Sequence, residues 1–256
     1  MEFSDYISDL FQNGHKEYLR NLSVDSVIFG FHHNELKVLL LYSKLHGKWA
    51  LPGGFIRFNE HMDDAAARVL YERTGLKNIY LQQFRVFSET DRSTRAIYQP
   101  ILQSMHIQLQ ESWMFERFIT IAYSALVDFS KVKPQKDVLT DDCAWHSIDS
   151  IPEMILDHHA ILDAALKHLR LQLNYQPVGA NLLPSKFTMP ELQRLYETIL
   201  GKQLDRRNFQ RKMLHTGILK KLNERREGVN HKAPTYYSFD QKVYKQFLKA
   251  GMGFSI

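Results

Sequence analysis

The sequence has few of the features that mark secreted or membrane proteins. Its 256 residues include one cysteine, Cys143, which excludes an internal disulfide framework and any zinc site built from several cysteines. Its apolar runs are short, as in Val38–Tyr42, whereas a helix needs about 20 apolar residues to cross a bilayer. The amino terminus has no basic stretch followed by an apolar run, so we expect no secretory signal. We therefore predict a protein of the reducing cytoplasm without a membrane partner.

The charge of the chain is unevenly distributed. Hydrophobic residues make up 44% and charged residues 24% of the sequence, so a sizeable core is expected. Residues 183–256 hold 15 Lys and Arg against 6 Asp and Glu, whereas residues 1–182 hold 18 against 22. This asymmetry favours a nucleic acid or another anionic partner for the basic tail. A solvated basic face without a partner is the alternative, because charge patterning alone is a weak pointer.

Changes in composition divide the chain near residue 180. The first residues have the pattern of a short amphipathic helix, and the segment around Pro177 has the composition of a connector. We predict an N-terminal lead-in over residues 1–21, a body over 22–173 with an unassigned insertion at 88–116, a linker over 174–184 and a C-terminal domain over 185–256.

The body alternates strand-like and helical segments. Apolar, β-branched runs on either side of the polar turn His32–Glu35 predict a β-hairpin. A helix is predicted over about His61–Arg73, because Gly75 follows it at the position that commonly ends a helix. Another helix is predicted over Ile151–Leu171, with Pro152 in its first turn.

The histidines do not form a metal-binding pattern. His158 and His159 are adjacent on the predicted Ile151–Leu171 helix, so their side chains would point apart. We therefore interpret them as part of a polar helix face.

The basic tail has the pattern of a winged helix. Apolar residues recur along one stripe of a helix that begins at Met189, with Thr188 as its cap. A second helix, Arg206–His215, follows Asp205, a good N-cap, and its basic and amide outer face suits the major groove of DNA. The next segments predict a hairpin whose tip, Arg225–Lys232, would form a basic wing able to contact phosphates.

Eight residues of the tail are the predicted DNA contacts. They are Arg206, Arg207, Asn208, Arg211 and Lys212 on the helix, and Arg225, Arg226 and Lys232 in the wing. Because a pair of helices is a common arrangement, a small helical interaction or dimerisation domain is the alternative.

A motif of fixed spacing lies in the middle of the body. Residues 54–76 resemble the Nudix box, G-x(5)-E-x(7)-R-E-U-x-E-E-x-G-U, in which U is aliphatic. Two positions depart from it, since Val69 replaces the glutamate after the arginine and Arg73 replaces the second of the paired glutamates. Seven positions match at the right spacing: Gly54, Glu60, Arg68, Leu70, Glu72, Gly75 and Leu76.

The two departures change the chemistry of the motif. Helix positions i, i+3 and i+4 share a face, so glutamates at 69, 72 and 73 would converge and bind magnesium. Such a metal would neutralise a diphosphate and position the attacking water. Here Glu72 is the one carboxylate left, and a fixed positive charge lies beside it. We predict no metal site and no cofactor, and we expect Arg73 to pair with Glu72 or with an anionic ligand.

Further segments extend the resemblance. Asn181–Thr188, Leu192–Glu197 and Asp205–Phe209 are similar to segments of the Nudix-related transcriptional regulators, and the similarity spans roughly residues 22–87 and 117–245. That group includes NrtR-type repressors of NAD metabolism and arabinose-responsive regulators, and the sequence looks more like the sugar-responsive branch. The resemblance implies an α/β Nudix sandwich, with a mixed sheet between helices, joined to a C-terminal winged helix-turn-helix domain. It also implies a homodimer that binds a double-stranded DNA operator and senses a sugar or an ADP-ribose-like compound.

The effector site can be predicted only from general chemistry and from the resemblance. A sugar site needs hydrogen-bonding side chains and an aromatic face. By resemblance to the family, Glu60 and Arg68 brace the loop of the motif against its helix. Five residues on strands or loops near the expected cleft are the predicted ligand contacts: Asp25, Trp49, Arg57, Arg117 and Tyr123.

Two other functions are consistent with the same sequence. The chain would be a Nudix hydrolase of a nucleoside diphosphate derivative such as ADP-ribose if Glu60, Asp63 or Asp64 rebuilt the metal site. Alternatively, the tail would serve as a protein-interaction module. We favour a regulator without catalysis, because it accounts for the basic tail, the helix pair and the altered motif together.

Overall fold

The computed structural model describes residues 2–92, 95–129, 138–173, 179–180, 182–226 and 233–250. The chain separates into two compact units. The first takes its described residues from Met1–Phe29, Val38–Ala125 and Val132–Ala165, and the second from Gly30–Lys37, Leu126–Lys131 and Leu166–Ile256. Within the described ranges, no helix combines the length and the apolar character that a membrane crossing requires.

The described residues of the N-terminal two thirds form a seven-stranded sheet with four α-helices. The main strand order is β3-β2-β1-β6-β5, while β4 pairs with β1 and β7 pairs with β2. The strands are β1 Tyr18–His32, β2 Glu35–Ser43, β3 Lys48–Ala50, β4 Gly53–Arg57, β5 Gln82–Phe87, β6 Ile119–Val127 and β7 Thr140–Ser147. The helices are α1 Phe3–Asn13, α2 Met62–Thr74, α3 Arg95–Ser104 and α4 His158–Gln172, with short 3-10 turns at Gly14–Lys16 and Trp113–Phe115.

The predicted hairpin joins β1 to β2 through His33 and Asn34. Their φ values of 50° and 65° are those of a tight two-residue turn. β1 is the central element of the sheet, and residues 23–30 of it are buried without interruption. Both β4 and β6 pair with this buried strand.

Helix α2 carries the motif and begins and ends close to the predicted residues. Asp63 and Asp64 lie in its first turn, where negative charge is favourable, and Gly75 ends it in the left-handed conformation at φ 75°. Its buried residue Val69 packs in one cluster with Val24 and Ile121 of the sheet. A side chain at Gly54 would contact Val69 at 3.1 Å, so the glycine lets β4 approach the helix closely.

The predicted helix Ile151–Leu171 begins later than expected. Residues 151–157 are not helical, because the backbone of this segment pairs with β3. The amide of Trp49 donates to the carbonyl of Glu153 at 3.2 Å, and the amide of Ile155 donates to the carbonyl of Trp49 at 2.8 Å. Helix α4 therefore starts at His158, after Leu156 with a positive φ of 45°.

The amino-terminal segment and the unassigned insertion pack together. Ile7 and Phe11 of α1 are buried in one cluster with Tyr98 of α3 and with Trp113. The Trp113 indole donates to the carbonyl of Leu10 at 2.8 Å. The insertion therefore contains a helix and a 3-10 turn. The predicted lead-in begins with a helix that contributes to the core, and its last residues, from Tyr18, already belong to β1.

The second unit contains the winged helix that the tail predicts. Its helices are α5 Met189–Leu200, α6 Arg206–His215 and α7 Gln241–Ala250, and its three-stranded sheet has the order β8-β10-β9, formed by Phe187–Thr188, Thr235–Phe239 and Leu219–Arg225. Thr188 and Glu191 form a reciprocal capping box at the start of α5, and Asp205 caps α6. Tyr196 of α5 and Phe209 of α6 meet edge to face at 5.3 Å in the core between the two helices.

Candidate functional site

Arg68 connects the loop of the motif to its helix. Its Nε and Nη2 donate to both oxygens of Glu60 at 2.8 and 2.6 Å, and Nη2 also donates to the carbonyl of Phe55 at 2.8 Å. The hydrogen bonds from Arg68 are the main reason that the pKa of Glu60 lies below its usual range. Because Glu60 also accepts the amide of Arg57 at 2.7 Å, the geometry is that of a brace between loop and helix.

Glu72, the carboxylate that the motif retains, is surrounded by guanidinium groups. Nη1 of Arg68 donates to Glu72 Oε2 at 2.8 Å, and Nη2 of Arg57 lies 3.6 Å from Oε1. Arg57 also donates to Glu17 at 3.0 Å. Magnesium prefers several oxygen ligands, which Arg73 and the buried, apolar Val69 do not supply. Within the part of the chain that the structure describes, no group of three His, Cys, Asp or Glu side chains could hold a metal ion, so this donor set does not fit the metal of the motif.

A cavity of about 220 Å³ lies against the motif helix. Most of its lining residues are apolar, and they belong to α1, to strands β1 to β4 with their connections, and to the insertion. Val69, Glu72 and Arg73 of α2 line it, as does Arg68. The altered positions of the motif therefore face a space that a small molecule can enter.

A buried ionic cluster forms another part of the same wall. Nη2 of Arg92 donates to Asp25 Oδ2 at 2.9 Å, and Nε of Arg92 donates to Asp157 Oδ1 at 2.7 Å. Thr120 donates its hydroxyl to Asp25 Oδ2 at 2.7 Å. Burial raises the pKa of Asp25, but the charges of His158 and Arg92 and the bonds from Thr120 and Arg92 outweigh it and hold this pKa below its usual range. Arg92 thus fastens the start of the insertion to the floor of the cavity.

His158 belongs to this cluster, so its interpretation as part of a polar helix face is wrong. It is the first residue of α4, and 4% of its surface is exposed. Its Nδ1 accepts the amide of Leu51 at 2.9 Å, and its Nε2 lies 3.7 Å from Asp25 Oδ1. Burial is the main cause that lowers the pKa of His158 below its usual range, although the nearby Asp25 carboxylate acts in the opposite direction. The late start of α4 turns this side chain inward.

Of the five predicted ligand contacts, the structure brings Asp25 to the described wall of the cavity. Trp49 packs edge to face against Tyr42 and His146, at 5.4 and 4.2 Å. Tyr123 is buried and donates its hydroxyl to Asp63 at 2.7 Å. Arg57 lies in the ion pairs given above, and Arg117 is exposed.

The predicted ligand contacts leave out several polar residues of the cavity, among them Arg92, His158 and His46. Arg92 lies in the insertion, which has no recognisable pattern, and His158 was placed inside a longer helix. His46 follows β2 in a short turn and also lines the cavity. No local signal distinguishes these residues, because chain segments that are distant in sequence bring them together.

Helix α6 carries the predicted basic face. Phe209 and Met213 point into the core, whereas the predicted contact residues of the helix are exposed. Nη2 of Arg211 donates to Asn208 Oδ1 at 2.9 Å, which holds one guanidinium beside one amide. Arginine and asparagine side chains of this kind read base edges in the major groove. The exposed helix residues are Arg206, Arg207, Asn208, Arg211 and Lys212.

The predicted wing is described in part. Arg225 is exposed at the end of β9, opposite Thr235 of β10. Arg226 donates to Glu191 at 2.9 Å, so an acidic side chain neutralises part of its charge. Lys232 and the rest of the tip, residues 227–232, lie outside the described residues, as do residues 174–178 and 181 of the predicted linker.

Two family models match this chain. The model of the NUDIX domain matches residues 19–169, and the model of the NrtR DNA-binding winged helix domain matches residues 179–239. These matches define a class of proteins that join a NUDIX domain to a winged helix. The chain belongs to the NrtR-type family of this class.

Two known proteins are similar to this chain over most of their length. The ADPR responsive transcriptional repressor NtrR of Acinetobacter baylyi is 28% identical over 222 residues, which cover 84% of this chain and 80% of the relative. The crystal structure of Shewanella oneidensis NrtR is 25% identical with a TM-score of 0.70. The same protein complexed with a 27mer DNA is 24% identical with a TM-score of 0.71, and both structures cover 92% of this chain and 98% of the other. Neither the A. baylyi repressor nor S. oneidensis NrtR is named as sugar-responsive, so these relatives do not support the sugar-responsive branch.

Proposed function

We propose that this protein is a transcriptional regulator whose NUDIX domain binds ADP-ribose, or a closely similar compound, and whose winged helix binds an operator. The observation that carries the proposal is the altered motif, since Arg73 lines the cavity where the family pattern has a metal-binding glutamate. Replacement of a metal-binding carboxylate by a guanidinium favours binding of a diphosphate in this cavity over its cleavage.

The chemistry of the cavity supports a phosphate-bearing effector. Arg73 brings a positive charge to its wall, while Arg68, which also lines it, is already bonded to Glu60 and Glu72. A guanidinium binds phosphate oxygens directly and needs no bridging metal. The A. baylyi relative is described as ADPR responsive, which agrees with this charge pattern. A free sugar, the effector favoured by the sequence, has no anionic group for these side chains.

We propose further that this chain has lost the hydrolase activity of NUDIX enzymes. In such enzymes the bound metal neutralises the diphosphate and prepares the attacking water. Glu60 is held by Arg68, and Asp63 accepts a bond from Tyr123, so neither carboxylate is placed to replace the missing ligands. Incubation of the protein with ADP-ribose and magnesium should yield no AMP above the buffer rate. Turnover at an enzyme-like rate would reject the loss of catalysis.

The winged helix supports operator binding. Helix α6 presents a row of exposed basic and amide groups, and α5 packs behind it as the first helix of a helix-turn-helix. We propose a homodimer that reads two half-sites, because dimers of this architecture bind operators of two-fold symmetry. The effector would act by binding one state of the dimer more tightly than the other.

Selection of the purified chain on random duplex DNA, at a stated moderate salt concentration, tests the proposal. We expect an enriched motif with two-fold symmetry, and we expect ADP-ribose to change its recovery in buffer that contains a metal chelator. Failure to enrich any motif would reject operator binding and would favour the tail as a protein-interaction module.

A further inference from the structure

The turn after β2 places a histidine in the cavity wall, away from the motif. The backbone amide of His46 donates to Ser43 Oγ at 3.3 Å, and Nδ1 of the ring lies 3.1 Å from the same oxygen. Ser43 also lines the cavity. Because Ser43 Oγ already accepts the amide, we assign its hydroxyl proton to the bond with Nδ1 and the ring proton to Nε2.

The Nε2 atom of His46 is a buried donor. It has no hydrogen-bond partner among the described residues. Burial lowers the pKa of His46 to about 4, so the ring is neutral near pH 7. Buried polar groups are nearly always hydrogen-bonded, so an unmatched donor on a residue that lines the cavity is a candidate partner for a ligand acceptor.

Asp25 supplies the complementary acceptor. Its Oδ2 is occupied by Arg92 and Thr120, whereas Oδ1 lies 3.7 Å from the His158 ring, beyond hydrogen-bond distance. Within the described residues, Oδ1 therefore keeps capacity to accept a bond. Its low pKa supports an ionised carboxylate at this point of the wall.

This pair of groups selects among ligand chemistries. A phosphate accepts hydrogen bonds only, and the Asp25 carboxylate would repel it. A hydroxyl group both donates and accepts, so neighbouring hydroxyls of a sugar ring match a neutral imidazole donor and a carboxylate acceptor together. The lining of the cavity therefore includes groups suited to hydroxyls, on His46, Ser43 and Asp25, besides the guanidinium groups of Arg68 and Arg73.

We propose that His46 and Asp25 form a hydroxyl-recognition subsite for the sugar ring of the effector, with Ser43 fixing the His46 ring. This inference rests on the proposed function and assigns the sugar and the diphosphate to different parts of one cavity. The shared chemistry is a ring with neighbouring hydroxyls, which belongs either to the terminal ribose of ADP-ribose or to a free pentose.

Calorimetric titration in chelator-containing buffer, with ADP-ribose, ADP and D-ribose as separate probes, tests the subsite. Wild type should bind ADP-ribose more tightly than ADP. His46→Phe should weaken ADP-ribose binding about tenfold or more and leave ADP binding unchanged, because a site that hydrogen-bonds a hydroxyl loses that bond. Ser43→Ala should cause a smaller loss of the same kind. The exposed His159 on α4 provides the matched control, His159→Phe, which should bind as wild type does.

The outcomes separate the subsite from the proposed function. Equal binding of ADP and ADP-ribose by wild type would overturn the subsite and leave a diphosphate-binding regulator. Equal loss of both ligands in His46→Phe, with an unchanged melting temperature, would overturn it as well. Binding of D-ribose without ADP-ribose would uphold the subsite and reject ADP-ribose as effector. Binding of none of the three probes would reject both proposals.

Discussion

Arg68 and Glu72 lie one turn apart on α2 and form an ion pair, with 2.8 Å between Nη1 and Oε2. The carboxylate that a catalytic motif would give to a metal is thus held by the arginine that also braces Glu60 in the loop of the motif. Arg57 approaches the other oxygen of Glu72, at 3.6 Å. The motif keeps its mechanical function, which is to join loop and helix, while its metal-binding face has become a face of mixed charge.

Reversing the charge at Arg73 should weaken effector binding. In chelator-containing buffer, Arg73→Glu is expected to lower the affinity for ADP-ribose about tenfold or more, because hydrogen bonds to charged groups contribute about 1.5–3 kcal/mol. Arg73→Lys keeps the charge and should retain most of the affinity. Lys167→Glu reverses an exposed charge on α4 and serves as the control. Calorimetry gives the result, and unchanged binding by Arg73→Glu would show that the effector does not use this side chain.

Helix α6 should supply sequence recognition. Arg207→Ala is expected to weaken binding to the selected duplex by about 1–3 kcal/mol and to relax base preference at one position of each half-site. Arg225→Ala at the end of β9 should instead weaken binding to all sequences equally. It should also reduce the slope of the log binding constant against log salt concentration by about one. Lys242→Ala on α7 is a control for loss of charge.

A combined variant tests the placement of the recognition helix itself. Replacement of Arg207, Asn208 and Arg211 by alanine together should abolish specific binding in a mobility-shift assay. Undiminished affinity in this triple variant would show that another surface reads the operator.

Stability should depend on the titration of His46. Its pKa is about 4 in the folded chain, against an ordinary value of 6.5, because burial disfavours the charged ring. The unfolded chain therefore binds more protons between pH 6.5 and 4, and stability is complete above pH 6.5 and is lost as the pH falls through this window. The loss amounts to roughly 3 kcal/mol for this group.

Urea unfolding of wild type and His46→Gln at several pH values measures this contribution. The difference in unfolding free energy between the two proteins should change across pH 6.5 to 4. The exposed His61 provides the control, His61→Gln, which should follow wild type. A difference that is constant with pH would mean that the imidazole is accessible to water in the folded chain.

Removal of Arg92 should destabilise the NUDIX domain. Arg92→Met leaves Asp25 and Asp157 without their shared guanidinium, and breaking a buried ion pair from one side costs about 3–5 kcal/mol. Arg85→Met on the exposed face of β5 should change the unfolding free energy by less than about 0.5 kcal/mol. If Arg92→Met were as stable as Arg85→Met, the ionic cluster would not fasten the insertion.

The elements with strong local signals could be predicted from the sequence. Helix α2 has an acidic first turn and a left-handed Gly75, and α5 has a capping box at Thr188, so local hydrogen bonds fix where they begin or end. The start of α4 could not be predicted, because the backbone of residues 151–157 pairs with β3, a partner about a hundred positions earlier. That tertiary pairing overrides the helical pattern.

The candidate site was predictable where a motif exists and unpredictable where it does not. The spacing of residues 54–76 identified the helix that lines the cavity and the positions where its chemistry changed. Arg92, His46 and His158 come from three segments without a common pattern, and the fold alone brings them to the cavity around Asp25. Trp49 and Tyr123 have the side chains of a sugar site, but their positions on the sheet direct them to other partners.

The most direct test of metal-independent sensing is fluorescence anisotropy of the selected operator duplex, bound by the full chain in buffer that contains a chelator and titrated with ADP-ribose. We expect saturating ADP-ribose to change the operator dissociation constant at least about fivefold, while AMP at the same concentration does not. Operator affinity that ADP-ribose leaves unchanged, or a change that requires added magnesium and accompanies cleavage of the ligand, would contradict this expectation.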